Sequence, residues 1–183
     1  MTFTPTHPDG CFIIEPNVIN DGRGYFMESF NQEKFENGIG NSVNFVQDNQ
    51  SYSTKGVLRG LHYQTGVHAQ AKLVRVLHGE VLDVAVDIRP NSKTYGAHVA
   101  VVLSAENNRQ LFIPRGFAHG FLVLSDTATF FYKCDNLYNK ESEGGLIYND
   151  PAVGINWGMD KDDLIISEKD IVLPELKNCR KIW

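Results

Sequence analysis

The chain has 183 residues, 42% of them apolar and 21% charged, with a formal net charge of −5. That length and composition suit one globular domain over residues 1–183 with a sizeable core. The acidic balance argues against a general nucleic-acid-binding face, though a locally basic pocket for a phosphorylated ligand remains compatible with it. Cys11, Cys134 and Cys179 show no CxxC or Cys/His zinc spacing, which reads as reduced thiols in a reducing compartment. The opening MTFTPTHPDG has no apolar core, and runs such as VAVVL at 99–103 are too short to cross a bilayer. A soluble cytoplasmic protein, neither membrane-bound nor nucleic-acid-binding, is expected.

Taken in order, the first predicted element is a short helix over 31–37, with Ser29 and Gln32 as a capping box and Gly38 as its stop. A strand is expected at 42–47. Residues 56–64 read GVLRGLHYQ, a strand-like stretch that carries Arg59 and His62. Lys72 to Leu77 follows as a strand, and His78-Gly79 reads as a hairpin turn into Leu82–Ile88. In that last strand Leu82, Val84, Val86 and Ile88 alternate with Asp83, Ala85 and Asp87, a period of two with one polar face. Further strands are expected at 97–104, 109–113, 119–124 and 128–134, with Pro114-Arg115-Gly116 as a break and a helical piece near 160–164. The sum is an all-β, mostly antiparallel sandwich or barrel. A jelly roll of this kind has room for a small-molecule site in its mouth.

Strand parity singles out several side chains. Lys72 shares parity with Val74 and Val76. It is either an ammonium held among valines, costly without negative charge to meet, or a rim residue that snorkels into water. Arg59 and His62 have opposite parity, so a regular strand sends them to opposite faces; a bulge at Gly60 would bring them to one. His119 shares parity with Phe117 and Phe121, and Tyr132 with Phe130 and Cys134. Singly, each reads as core or a half-buried polar tip. Together His62, Lys72, His119 and Tyr132 are more proton-handling groups than core packing needs. There is no HxH and no His/carboxylate set at ligand spacing, so no metal is expected. Neither a nucleophile elbow nor a glycine-rich phosphate loop is present.

The segments GRGYFMESF (22–30), FVQDNQSYS (45–53), GVLRGLHYQ (56–64), KLVRVLHGEVLDVAVDIR (72–89), LSAENNRQLFIPRGFAHGF (103–121), YK (132–133), YNDP (148–151) and SEKD (167–170) resemble, in order and spacing, the dTDP-4-dehydrorhamnose 3,5-epimerase family. The resemblance implies a cupin-type jelly-roll β-barrel that needs no metal or other cofactor and acts as a homodimer on a dTDP-linked 4-keto-6-deoxy sugar. It implies that His62 is the base, Asp170 its partner, Tyr132 the acid and Lys72 the contact to the enolate oxygen. By the same resemblance Arg23, Glu28, Gln47, Asn49, Arg59, His119, Glu143 and Lys169 bind substrate, with some N-terminal ones reaching across the dimer. Tyr138 is implied to stack on thymine. The chain departs from the family pattern at Tyr148, where tryptophan is usual, and at Gly158, where proline is common.

The residue types suit that chemistry. C3 and C5 both adjoin the C4 ketone, so removing either proton places charge on O4. Imidazole, titrating near neutrality, is matched to the abstraction. Guanidinium pairs with diphosphate oxygens in a two-pronged geometry. Epimerases acting only at C3 or only at C5 would keep the same groups, whereas a non-catalytic nucleotide-sugar-binding cupin would lose His62 or Tyr132.

Overall fold

The computed structural model describes residues 1–183. Its strands are β1 (Thr2–Pro5), β2 (Phe12–Glu15), β3 (Val18–Asp21), β4 (Gly24–Met27), β5 (Gln47–Thr54), β6 (Val57–Gln64), β7 (Lys72–His78), β8 (Glu80–Asp87), β9 (His98–Ser104), β10 (Gln110–Ile113), β11 (Phe117–Val123), β12 (Thr127–Cys134), β13 (Glu143–Gly145) and β14 (Ile165–Ile166). One helix, α1 (Gln32–Ile39), lies between β4 and β5. The first large sheet has the order β1-β2-β10-β7-β12-β5 and the second β13-β6-β11-β8-β9, with β14 pairing β6 in parallel. The hairpin β3-β4 is a separate two-stranded sheet.

The two large sheets face one another as an unclosed cupin-type jelly roll. Val74, Val76, Leu111 and Phe130 of the first sheet pack against Val81, Ala85, Val101 and Phe121 of the second, forming the inner core. Two outer layers cover the sheets from behind. Phe35 and Ile39 of α1 close over Ile14, Leu73 and Phe112, so the amphipathic face of one short helix seals the first sheet. The chain after β13 wraps the second sheet, laying Leu146, Trp157 and Ile182 on Leu58, Val84 and Leu122. Burial on both faces explains why every residue of β10 and β11 is buried.

Several local expectations need correction. Residues 42–46 are not a strand; β5 begins at Gln47, where the ladder with β12 ends at Cys134. The helix is capped by Asn31, whose side chain accepts the Lys34 N–H, and not by Ser29. Gly38 lies inside α1, where an added Cβ would fall 2.4 Å from the Phe3 ring. The stop is Gly40, at φ 73°. Residues Lys161–Asp163 form only a single 3-10 turn. His78-Gly79 does not close a hairpin, because β7 and β8 belong to different sheets and the chain turns a corner there. The alternating strand β8 has no solvent face: Asp83 and Asp87 are both fully buried.

Candidate active site

The bulge in β6 builds the site. Across β6 and β11, His62 pairs with His119 and Arg59 pairs with Phe121, so three steps along β6 match two along β11. Before the bulge Leu58 faces the outer layer; after it Leu61 and Tyr63 do. Arg59 and His62 therefore share the inner face despite opposite parity. Gly60 makes this possible. It has φ +124°, and an added Cβ would lie 2.6 Å from Gly120 Cα and 2.8 Å from the His119 carbonyl oxygen.

Between the sheets lies a cavity of about 630 Å³. His62, Arg59 and His119 line it from the second sheet, Lys72, Tyr132 and Asn49 from the first, with Lys169 and Asp170 at the mouth. His62 Nε2 is 2.7 Å from Asp170 Oδ1. The second oxygen of Asp170 accepts the Gly60 N–H at 3.2 Å, so one carboxylate holds both the ring and the bulge. Burial alone would raise the Asp170 carboxyl; the bonds from His62, Gly60 and Ser167 outweigh it and keep the group below the usual carboxylate range.

Lys72 does point inward, and its ammonium lies 5.8 Å from the centre of the Tyr132 ring. Burial pulls Lys72 below the ordinary lysine range, and Cys134 and Asp83 partly restore it. Burial likewise raises the Tyr132 phenol, with Arg59 opposing, so Tyr132 keeps its proton at neutral pH. His119 Nε2 is 2.9 Å from Asp83 Oδ2. Burial pushes His119 down more than Asp83 lifts it.

Asp83 is the residue that sequence reasoning missed. It is 0% exposed, and its Oδ1 has no hydrogen-bond partner. The alternation Leu82–Ile88 marks one polar face, and nothing in the local pattern signals that a second sheet covers it.

A smaller annex of about 200 Å³ adjoins the cavity and shares Asn49, His62, Lys72, Tyr132 and Lys169 with it. Gln47, Gln64, Gln70, Tyr63, Tyr138 and Glu143 complete its wall. Lys169 Nζ donates to Glu143 Oε2 at 2.8 Å. Arg23 and Glu28 are not brought to either cavity. Arg23 sits at the β3-β4 turn, its side chain 91% exposed and paired with Asp21, and Glu28 pairs with Lys34. The departures at Tyr148 and Gly158 also lie elsewhere. Tyr148 is buried and its carbonyl accepts the Trp157 indole N–H, while Gly158, at φ +70°, has a backbone closed to proline.

The family model for dTDP-4-dehydrorhamnose 3,5-epimerase matches residues 5–178. The chain belongs to this family. A Shigella flexneri dTDP-4-dehydrorhamnose 3,5-epimerase is 56% identical over 171 residues, 93% of each chain. The crystal structure of the Elizabethkingia anophelis dTDP-4-dehydrorhamnose 3,5-epimerase superposes with a TM-score of 0.95 at 55% identity, covering 100% of this chain and 99% of that one. A Legionella pneumophila dTDP-6-deoxy-D-glucose-3,5-epimerase, solved in complex with dTDP-4-keto-L-rhamnose, gives 0.93 at 50% identity, with 97% and 93% covered. In this 3,5-epimerase family member, then, imidazole stands on one wall of the cavity and phenol and ammonium on the other.

Proposed function

We propose that this chain, as a single domain over 1–183, inverts C3 and C5 of dTDP-4-dehydro-6-deoxy-D-glucose and yields dTDP-4-dehydro-L-rhamnose, a step toward dTDP-L-rhamnose. The observation that carries this reading is the placement of His62 and Tyr132 on opposite sheets of one cavity, with Lys72 beside Tyr132. A keto-sugar lying between them meets a base on one face and an acid on the other.

His62, oriented by Asp170, removes the proton from C3 or C5. The bond pair moves into the C–C4 bond and the carbonyl pair moves onto O4, where the Lys72 ammonium meets the developing charge. Tyr132 then delivers its proton to the same carbon from the opposite face, and the configuration is inverted. His62 is left protonated and Tyr132 ionised, and exchange with solvent resets both before the second centre reacts. Arg59 takes the diphosphate oxygens. His119 and Asn49 contact the sugar-bearing part, Gln47, Glu143 and Lys169 line the nucleotide side, and Tyr138 stacks on the thymine ring.

The same reading assigns a homodimer. The β3-β4 hairpin exposes Ile19, Tyr25 and Phe26, and it carries Arg23 at its turn, away from the chain's own cavity. An apolar projection of this kind fits the flank of a second copy, where Arg23 and Glu28 reach the partner's nucleotide. The three free cysteines suit a reducing, cytoplasmic setting.

The test is incubation of the purified protein with dTDP-4-dehydro-6-deoxy-D-glucose in heavy water, followed by proton NMR. Deuterium at both C3 and C5 of an L-configured product is expected. Labelling at one carbon alone would make it a monoepimerase, and no labelling would defeat the reading.

A further inference from the structure

Residues 136–138 make no backbone–backbone hydrogen bond. Yet Leu137 and Tyr138 are both more than half exposed, and Tyr138 lines the annex. A segment with free peptide groups and two exposed apolar side chains is expected to be mobile unless side chains hold it. Here three glutamines do, beside the Asn136 side chain, which donates to the Val67 carbonyl at 2.8 Å and accepts the Leu137 N–H at 2.9 Å. Gln70 Nε2 donates to the Asn136 carbonyl at 2.8 Å, Gln47 Oε1 accepts the Tyr138 N–H at 3.1 Å, and Gln64 Oε1 accepts the Asn139 N–H at 2.9 Å. All three line the annex.

Each comes from a different part of the scaffold. Gln47 opens β5, Gln64 closes β6, and Gln70 lies on the approach to β7. Gln64 is only 5% exposed and lies two residues after His62, on the same inner face. Its backbone also pairs with Glu143, so it links the strand carrying the base to both ends of the 139–143 turn. Asn139, held in this way, in turn accepts the Ser142 N–H at 3.1 Å.

We propose that Gln64 and Gln70 are positioning residues: with Gln47 they clamp the backbone of residues 136–139, so that Tyr138 stands as a preformed wall for the nucleobase before any ligand arrives. The inference rests on the proposed role of Tyr138 in stacking. Its physical content is pre-organisation. A ring already in place adds its stacking energy without the ordering cost that a loose loop would subtract. Gln64 is central because a buried acceptor bonded to a backbone N–H leaves an unsatisfied donor when removed.

The test uses the full-length protein and two readouts. Gln64→Leu keeps the buried volume and deletes the acceptor. Hydrogen exchange of the free protein should show faster exchange across 136–139, by about tenfold or more, with strands β6 and β11 unchanged. Calorimetric titration with dTDP should show binding weakened by about tenfold, and the kinetic loss should fall on KM and not kcat. A Tyr138→Ala background decides between clamp and general damage: Gln64→Leu should weaken dTDP binding no further there. Unchanged exchange, or full additivity of the two substitutions, overturns the proposal. Should Gln64→Leu fail to fold, Gln70→Leu removes the Asn136 anchor at the rim and is read in the same two ways. If the unmodified protein does not bind dTDP, the functional reading falls, while the exchange data still decide the clamp.

Discussion

His62 and His119 are direct cross-strand partners in β6 and β11, and each is held by its own aspartate. The two pairs differ in setting. Asp170 is buried, yet the His62 ring it holds is 41% exposed, and it also bonds the bulge, whereas His119 and Asp83 are sealed between the sheets with one Asp83 oxygen unpartnered. The first pair has solvent within reach to exchange protons. The second is fixed in the interior beneath the substrate site.

Asp170→Asn should cost far more activity than binding. In the proposed mechanism the amide cannot stabilise the imidazolium that would form as His62 takes a proton. A fall of roughly 10²–10⁴ in kcat is expected, on the scale of other general-base systems. Binding of dTDP, measured by titration, should change less than threefold.

Arg59 and Lys72 should separate by which constant they move. Arg59→Ala removes the proposed diphosphate contact and should raise the Kd for dTDP about tenfold or more. Lys72→Ala removes a charge needed only once the enolate forms, so kcat should fall by roughly 10²–10³ with little change in Kd. Comparable binding losses in both variants would undo this division.

Asp83→Asn tests the sealed pair through pH. The Asp83 carboxylate raises the Lys72 ammonium against the stronger effect of burial. With that charge gone, Lys72 loses its proton at lower pH, so the alkaline limb of the kcat profile should move downward. His119, already depressed by burial, shifts further the same way. Cys134, the other group acting on Lys72, is unchanged by the substitution. An alkaline limb that does not move would rule out electrostatic support from Asp83.

Much of this was legible in the sequence. The strands β7, β8, β9, β10 and β12 announce themselves by alternation and by turn residues at their ends. Parity groups Lys72 with Val74 and Val76 but leaves open whether the strand starts at the rim; the structure turns its ammonium inward, 5.8 Å from the Tyr132 ring centre. What failed did so for physical reasons. Alternation in β8 reports two different faces but not whether the polar one is wet, and Asp83 and Asp87 are both fully buried. The dipeptide His78-Gly79 has hairpin chemistry, yet a sheet-to-sheet corner needs the same positive φ, here +78° at Gly79. A bulge at Gly60 uniting Arg59 and His62 is one of two readings that parity leaves open; what decides it is contact between Gly60 and Gly120, far apart in the chain.

That contact gives a stability prediction. In Gly60→Ala the new methyl meets backbone on the facing strand, at a φ costly for any L side chain. A loss of about 2 kcal/mol or more is expected, read as a Tm lower by roughly 4–8 °C. Activity should fall further than stability, because Arg59 and His62 lose their common face. A variant as stable and active as the parent would show that the bulge is not needed.

The two-wall account is tested most directly by Tyr132→Phe in heavy water with dTDP-4-dehydro-6-deoxy-D-glucose, followed by proton NMR. His62 and Lys72 remain, so protons should still be abstracted and returned from the same side: deuterium enters the unreacted substrate while L-configured product falls by roughly 10²-fold or more. Inversion at both carbons at the parent rate would contradict the account, since it would place the acid somewhere other than the wall facing His62.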